Sequence, residues 1–263
     1  MKKYYYIFKL NIMSSLQYSV NVIMGFFSYF IIIFILMNMW QYMYSGSSQL
    51  IHGYSVNQMV WYVIFTELLY FSIGGRELCS QISNDIRSGN IAYNLNKPYN
   101  YAGYILSSHL GEVAVKGVLY SFAGLSIGTL LLGSVPGFQS FSIPFIFLVS
   151  LLAIVINSSF LICIGLVSFW IEDSGPFYWV YSKFLLVLGV IFPIEYFPKA
   201  WQPFLTYSPI YVITYGPAKL FVDFSFWAFA KVLFAQVIYV FIAGSLCFYI
   251  YKKGVKKLNV NGG

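Results

Sequence analysis

The chain has 263 residues, of which 59% are hydrophobic and only 9% carry a charge. Soluble domains carry about 25% charged residues, so the composition excludes a soluble fold and points to a polytopic membrane protein. The formal charge of +7 marks no nucleic-acid partner, because the basic residues lie in separate intervals between apolar stretches and form no single solvated face.

Residues 1–17 begin like a secretory leader, but Lys9 interrupts the apolar stretch and no small-residue cleavage site follows. Tyr4, Phe8, Ile12 and Leu16 share one helical stripe, which predicts an interfacial helix lying along the membrane. Residues 18–75 hold two predicted spans, 18–40 and 56–75. The first carries no charge and exceeds the ~20 residues a crossing needs. Trp40, Tyr42 and Tyr44 mark its far interface. An uncharged loop with Gly46, Ser47, Ser48 and His52 follows. Glu67 sits in the middle of the second span. A buried carboxylate there is costly or takes up a proton, and it marks a candidate point on a substrate or ion path. A structural hydrogen bond to a neighbouring helix is the other reading.

Residues 76–111 contain the longest polar interval. Leu78, Ile82 and Ile86 recur every four residues, with Gln81, Asp85 and Arg87 between them. Ser88-Gly89-Asn90 ends that helix and Lys97-Pro98 makes a second break. Residues 99–110 read as a second surface helix. A polar elbow held on two membrane anchors is a docking knob.

Residues 112–192 hold three more predicted spans: 113–133, 145–170, and a short one over 177–192 whose Lys183 snorkels to the interface. Glu172 and Asp173, in the turn before the last of these, read as a solvated turn rather than a second docking contact. Five prolines follow from Pro193 to Pro217, with Glu195 and Lys199 among them. They forbid one continuous helix. Irregular backbone at membrane depth needs protein cover or a hydrated cavity, so 193–226 is expected to form short outer helices. A sixth span covers 227–251 and a basic polar tail covers 252–263. The expected fold is all-α: six transmembrane helices in a single domain.

Six spans leave both termini on one side. Twelve of the fifteen Lys and Arg residues fall there, and only Lys199, Lys219 and Lys231 fall on the other. This bias places the termini and the elbow in the cytoplasm, with the chain as a multi-pass protein of the cell membrane.

Other chemistry finds little support. There is no Gly-Lys pair, hence no P-loop lysine, and no HExxH. Gly124-Leu125-Ser126-Ile127-Gly128 matches a nucleophile elbow in spelling, but it lies mid-span and both histidines precede it. The same string fits close helix packing. Cys79, Cys163 and Cys247 have neither disulfide nor zinc spacing. Asn157-Ser158-Ser159 is a glycosylation triplet inside a span.

Asp85-Ile86-Arg87-Ser88-Gly89-Asn90-Ile91, followed by Leu95-Asn96-Lys97-Pro98, resembles the elbow motif of ABC-2 type permeases. The later order agrees: Trp170, Glu172 and Asp173, then Pro193, Glu195 and Pro198, then Pro209 and Pro217. The resemblance implies a permease half that pairs with a second permease, as homo- or heterodimer, among membrane lipids and without nucleic acid. ATP would be bound by separate ATPase subunits on the cytoplasmic face, with no cofactor, metal or catalytic residue in this chain. Ile86, Arg87, Ser88, Gly89, Asn90, Leu95, Lys97 and Pro98 would contact the ATPase, and residues 1–17 would support it. Pro193, Glu195, Pro198 and Pro209 would belong to an outer gate. The function implied is export of a hydrophobic or amphipathic small molecule or peptide. A membrane-embedded lipid-modifying enzyme would need a convergent polar set that the sequence lacks. A non-transporting scaffold of an ATPase complex shares the same features.

Overall fold

The computed structural model describes residues 2–17, 19–46 and 50–261. Tyr18, where the first span is expected to open, the loop residues Ser47 and Ser48, and the terminal Gly262 and Gly263 lie outside the described residues. Among the described residues there is no strand; the elements are helical. Helices α1 (Lys2–Gln17), α2 (Ser19–Tyr44) and α3 (Val56–Ile73) lead into the elbow pair α4 (Gly75–Arg87) and α5 (Asn90–Leu95). Then come α6 (Tyr101–Leu132), α7 (Ile143–Leu166), α8 (Gly175–Leu185), α9 (Gln202–Thr206), α10 (Gly216–Val222) and α11 (Phe226–Asn261).

Among the described residues, four stretches are long and apolar enough to cross a membrane: Met24–Tyr44, Tyr101–Leu132, Ser140–Phe169 and Phe226–Lys257. Their outer faces expose large apolar side chains such as Phe34, Phe122, Phe147 and Phe241. An apolar surface of this extent belongs in lipid. The expected second and fifth spans differ. Helix α3 has 18 residues and buries twelve of them, from Met59 to Ile73. It is an inner column around which α2, α6 and α10 pack. The fifth stretch, Gly175–Ile191, is shorter than the other four.

Three expected boundaries look different in the structure. The surface helix at 99–110 and the span at 113–133 are one continuous α6. Gly111 does not interrupt it; a side chain there would strike the Phe8 carbonyl of α1, so this glycine lets α1 lie against α6. The tail is not a separate segment either: α11 runs unbroken to Asn261. Gly254 within it lies flat on the Phe169 ring. Pro144, expected in a loop, lies in the first turn of α7, where its missing N–H costs nothing. The Gly124–Gly128 string is a packing surface. Gly124 seats the Tyr29 hydroxyl and Gly128 seats the Trp61 ring.

The proline-rich region is broken in an ordered way. After α8 the chain winds as a π-helix over Leu186–Ile191 and stops before Pro193. A second π-helix, Tyr211–Tyr215, feeds α10, and both are buried against α3 and α7. Widened turns leave carbonyls free, which a bilayer cannot hydrate. Side chains of the bundle satisfy them. Tyr62 donates to the Gly189 carbonyl at 2.7 Å and Thr66 to that of Val190 at 2.9 Å. Gln236 of α11 donates to Val212 of the second π-helix at 3.0 Å and, with its other N–H, ties it to the Val149 carbonyl of α7 at 2.8 Å.

Replacing Tyr62 with Phe leaves the Gly189 carbonyl unpaired. It should cost about 1 kcal/mol, read as a lowered melting temperature in detergent. Tyr93→Phe, at an exposed ring, should leave the melt unchanged.

Candidate functional site

The elbow is built by one amphipathic helix and two glycines. Helix α3 ends at Gly74 in the left-handed conformation (φ 54°), and α4 starts at the next residue. Only glycine adopts this geometry without strain. Helix α4 buries Leu78, Cys79, Ile82, Ser83 and Ile86 against α7 and α8. Gly165 of α7 makes room for Ile82. The polar members of the buried face are bonded. Cys79 Sγ donates to the Leu161 carbonyl at 3.3 Å. Ser83 Oγ lies 2.7 Å from Ser168 Oγ and 2.6 Å from Ser174 Oγ. Tyr101 donates to Asp85 Oδ2 at 2.8 Å, tying the same helix to α6.

This arrangement divides the sequence-predicted contact set. Arg87, Ser88, Gly89, Asn90 and Pro98 are exposed, and Gly89 takes φ 76° to turn the chain. Ile86 is buried, so it holds the tip in place and is not a contact surface. Leu95 is half-buried against the same core. Lys97 is half-buried too, donating to Asn94 Oδ1 at 3.1 Å and lying 4.4 Å from the Tyr93 ring centre. Helix α1 braces the base. Lys3 Nζ donates to the Pro98 carbonyl, and Tyr4 Oη accepts from the Asn100 N–H at 3.1 Å. Glu172 and Asp173 are exposed, and Asp173 Oδ1 accepts from the Gly175 N–H at 2.8 Å at the start of α8.

At the opposite end of α3, the predicted gate residues behave unequally. Pro193 is buried, Pro209 half-buried and Pro198 exposed. Glu195 is the centre of a cluster that sequence reasoning did not assemble. Its Oε1 accepts from Tyr215 at 2.5 Å and Tyr54 at 3.2 Å, and Lys219 Nζ lies 3.5 Å away. Lys219 also donates to Tyr54 Oη at 3.0 Å and pairs with Asp223 at 3.5 Å. Burial, and after it the Glu195 charge, raises the Tyr54 hydroxyl well above the usual phenol range. Tyr44 bridges the Tyr54 carbonyl and the Tyr196 hydroxyl, at 2.9 and 2.8 Å. The cluster joins the α2–α3 loop to the proline-rich segment.

Glu67 lies between these ends. It is fully buried, and neither carboxylate oxygen has a hydrogen-bond partner among the described residues. The expected alternative, a structural hydrogen bond to a neighbouring helix, is therefore absent among the described residues. One turn further along α3, Tyr70, Phe71 and Gly74 line a cavity of about 150 Å³ completed by α7 and α8.

A broken inner column, an elbow locked to it and lipid-facing outer helices make an integral membrane protein with a solvated elbow tip. The family model described as ABC-2 family transporter protein matches residues 29–262. The chain belongs to the ABC-2 transporter family. Among curated proteins, none matches it. Membership makes this ABC-2 protein the membrane component of a transporter, and such permeases work with ABC ATPases.

Two measurements test the geometry. Burial pushes the Cys79 thiol up to about 12, so its thiolate is scarce at neutral pH. Iodoacetamide should modify Cys79 slowly at pH 8, faster only as pH climbs toward 12, while a cysteine at Ser88 reacts quickly. At the other end, a double-mutant cycle on Glu195→Gln and Lys219→Met should give a coupling of about 0.5–1 kcal/mol, the size for partly solvated pairs. It should shrink in high salt.

Proposed function

We propose that this ABC-2 protein is one permease half of an ATP-driven exporter. Six membrane crossings, with α3 and Gly175–Ile191 as the inner second and fifth, place both termini and the elbow in the cytoplasm. A separate ATPase subunit grips Arg87–Asn90, and a second permease pairs alongside. The cargo is a hydrophobic or amphipathic small molecule or peptide. The observation that carries this reading is the division of the elbow. Its tip is solvated, while Leu78, Ile82 and Ile86 lock its base onto α7. A force on such a tip moves α4 as a rigid lever about Gly74 rather than deforming a loop.

In this mechanism ATP-driven closure of the ATPase pair displaces α4. The displacement reaches α3 through Gly74 and α7 through the packed face. The far end of α3 meets the Glu195 cluster, which holds the outer segment on the α2–α3 loop until the bundle shifts. Glu67 then faces the translocation path midway.

Three glutamates in place of Arg87, Ser88 and Gly89 should leave ATP hydrolysis by the assembled complex within about twofold while transport in proteoliposomes falls at least tenfold, about 1.4 kcal/mol of coupling. Gly89→Ala strains the same turn without adding charge and separates the two effects. A cysteine at Ser88 should label with a membrane-impermeant maleimide in inside-out vesicles and not in right-side-out ones. Labelling from outside would overturn the cytoplasmic elbow, and ATPase activity that no candidate cargo alters would favour the scaffold reading.

A further inference from the structure

A second cavity, of about 260 Å³, is lined by α6, α7 and α11, each part of a stretch long and apolar enough to cross a membrane. Its polarity changes along its length. Asn100, at the N-cap of α6, and Tyr251, close to the end of α11, line one end. Asn100 Oδ1 accepts from the Gly103 N–H at 3.1 Å, which leaves its amide N–H groups at that mouth. Leu106, Ser159 and Gly244 line the deeper end. The Ser159 hydroxyl is spent on the Val155 carbonyl at 2.8 Å, so the deep end is apolar in effect. The cavity is open along its side: Gly244 and Phe248 are exposed, and a side chain on Gly244 would meet nothing within 4 Å.

At the mouth α11 turns basic. Lys252, Lys253, Lys256 and Lys257 are exposed, and no Asp or Glu follows Asp223 in the sequence. None of the ion pairs among the described residues involves these lysines. Lys252 Nζ lies 5.9 Å from the centre of the Phe248 ring, which is part of the cavity wall, and Lys253 Nζ lies 4.5 Å from that of Tyr249. Both rings are exposed on the apolar surface of α11, so the two ammonium groups are held at the border between lipid-facing rings and solvent. The acid tied to this end of α6, Asp85, already accepts from Tyr101.

We infer that this groove binds one anionic phospholipid, with an acyl chain between α6, α7 and α11 and the phosphate headgroup at the Lys252–Lys253 rim. Apolar depth below a basic mouth is the polarity of such a lipid. From Gly244 to Tyr251 the groove follows α11 for two turns, about 10 Å of rise. One leaflet of a ~30 Å hydrocarbon core is about 15 Å deep, so the groove takes the upper part of one chain. Its volume is below the ~300–1,000 Å³ of small-molecule pockets, which suits a chain segment laid in an open side rather than an enclosed ligand. Basic clusters at the end of a membrane helix favour anionic over zwitterionic headgroups. The site also adjoins the elbow. Tyr251 and Val255 pack on the apolar core that holds Ile82, Ile86 and Phe169. This inference stands apart from the exporter reading and needs neither cargo nor ATPase.

The test is native mass spectrometry of the full chain in detergent, titrated with phosphatidylglycerol or with phosphatidylcholine of the same acyl chains. The first phosphatidylglycerol should bind about fivefold tighter or more. Gly244→Leu fills the groove from a position with free space around it. It should weaken that binding about fivefold and leave the melting temperature unchanged. Lys252→Gln together with Lys253→Gln should bring phosphatidylglycerol to within about twofold of phosphatidylcholine, whereas Lys231→Gln, at the far end of α11, should change nothing. If Gly244→Leu does not fold, Phe248→Ala, at an exposed ring, should still weaken the binding about threefold. Equal affinity for the two lipids, or full phosphatidylglycerol affinity in whichever groove variant folds, overturns the site. Loss of a dimer in Gly244→Leu with phosphatidylglycerol binding intact assigns the groove to a second copy of the chain and overturns it as well.

Discussion

A helix broken inside a bilayer must find partners for the carbonyls that its widened turns release. In this ABC-2 protein that demand falls on α3 and α11. Tyr62, Thr66 and Gln236 reach the two π-helical segments and close their bonds. Without those three side chains, the carbonyls of Gly189, Val190 and Val212 would need water at a depth where lipid offers none. The same contacts set how closely the outer segment lies against the bundle. Gly189 meets Thr214 where any side chain would collide. Packing density and backbone bonding therefore depend on one another here.

Helix α3 links three structures with separate tasks. Its first turn is capped by Ser55 and Gln58 beside the tyrosine and lysine cluster around Glu195. Its middle holds Glu67. Its last residue hands over through Gly74 to the elbow. Twelve buried residues make it a poor candidate for independent motion. Whatever displaces one end is felt at the other, because a close-packed column shifts as a body. This gives the proposed coupling a physical route that needs no chain of individual side-chain movements.

Charge is placed with similar economy. The elbow tip keeps Arg87 in solvent, whereas Lys3 and Lys97 are spent on the carbonyl and ring contacts that brace its base. Lys219, counted at first only as one of three basic residues on the far side, is the cation that balances Glu195 and Asp223. Glu67, by contrast, is fully buried and has neither a hydrogen-bond nor an ion-pair partner among the described residues.

Much of this was legible in the chain itself. Composition and apolar run length determined a membrane-embedded, helical protein, and the Leu78–Ile82–Ile86 spacing with Gly89 located the elbow. Five prolines determined that no straight helix could follow α8. These are local signals, readable from neighbours a few residues apart. The continuity of α6 and α11 was not readable, because Gly111 and Gly254 look like interruptions until Phe8 and Phe169 are seen lying against them. Nor was the burial of Ile86, the meeting of Tyr54, Glu195 and Lys219, or the lack of a hydrogen-bond partner for Glu67 among the described residues. Each depends on residues tens to more than a hundred positions apart, and only close packing in three dimensions decides which polar groups find partners and which are left without one.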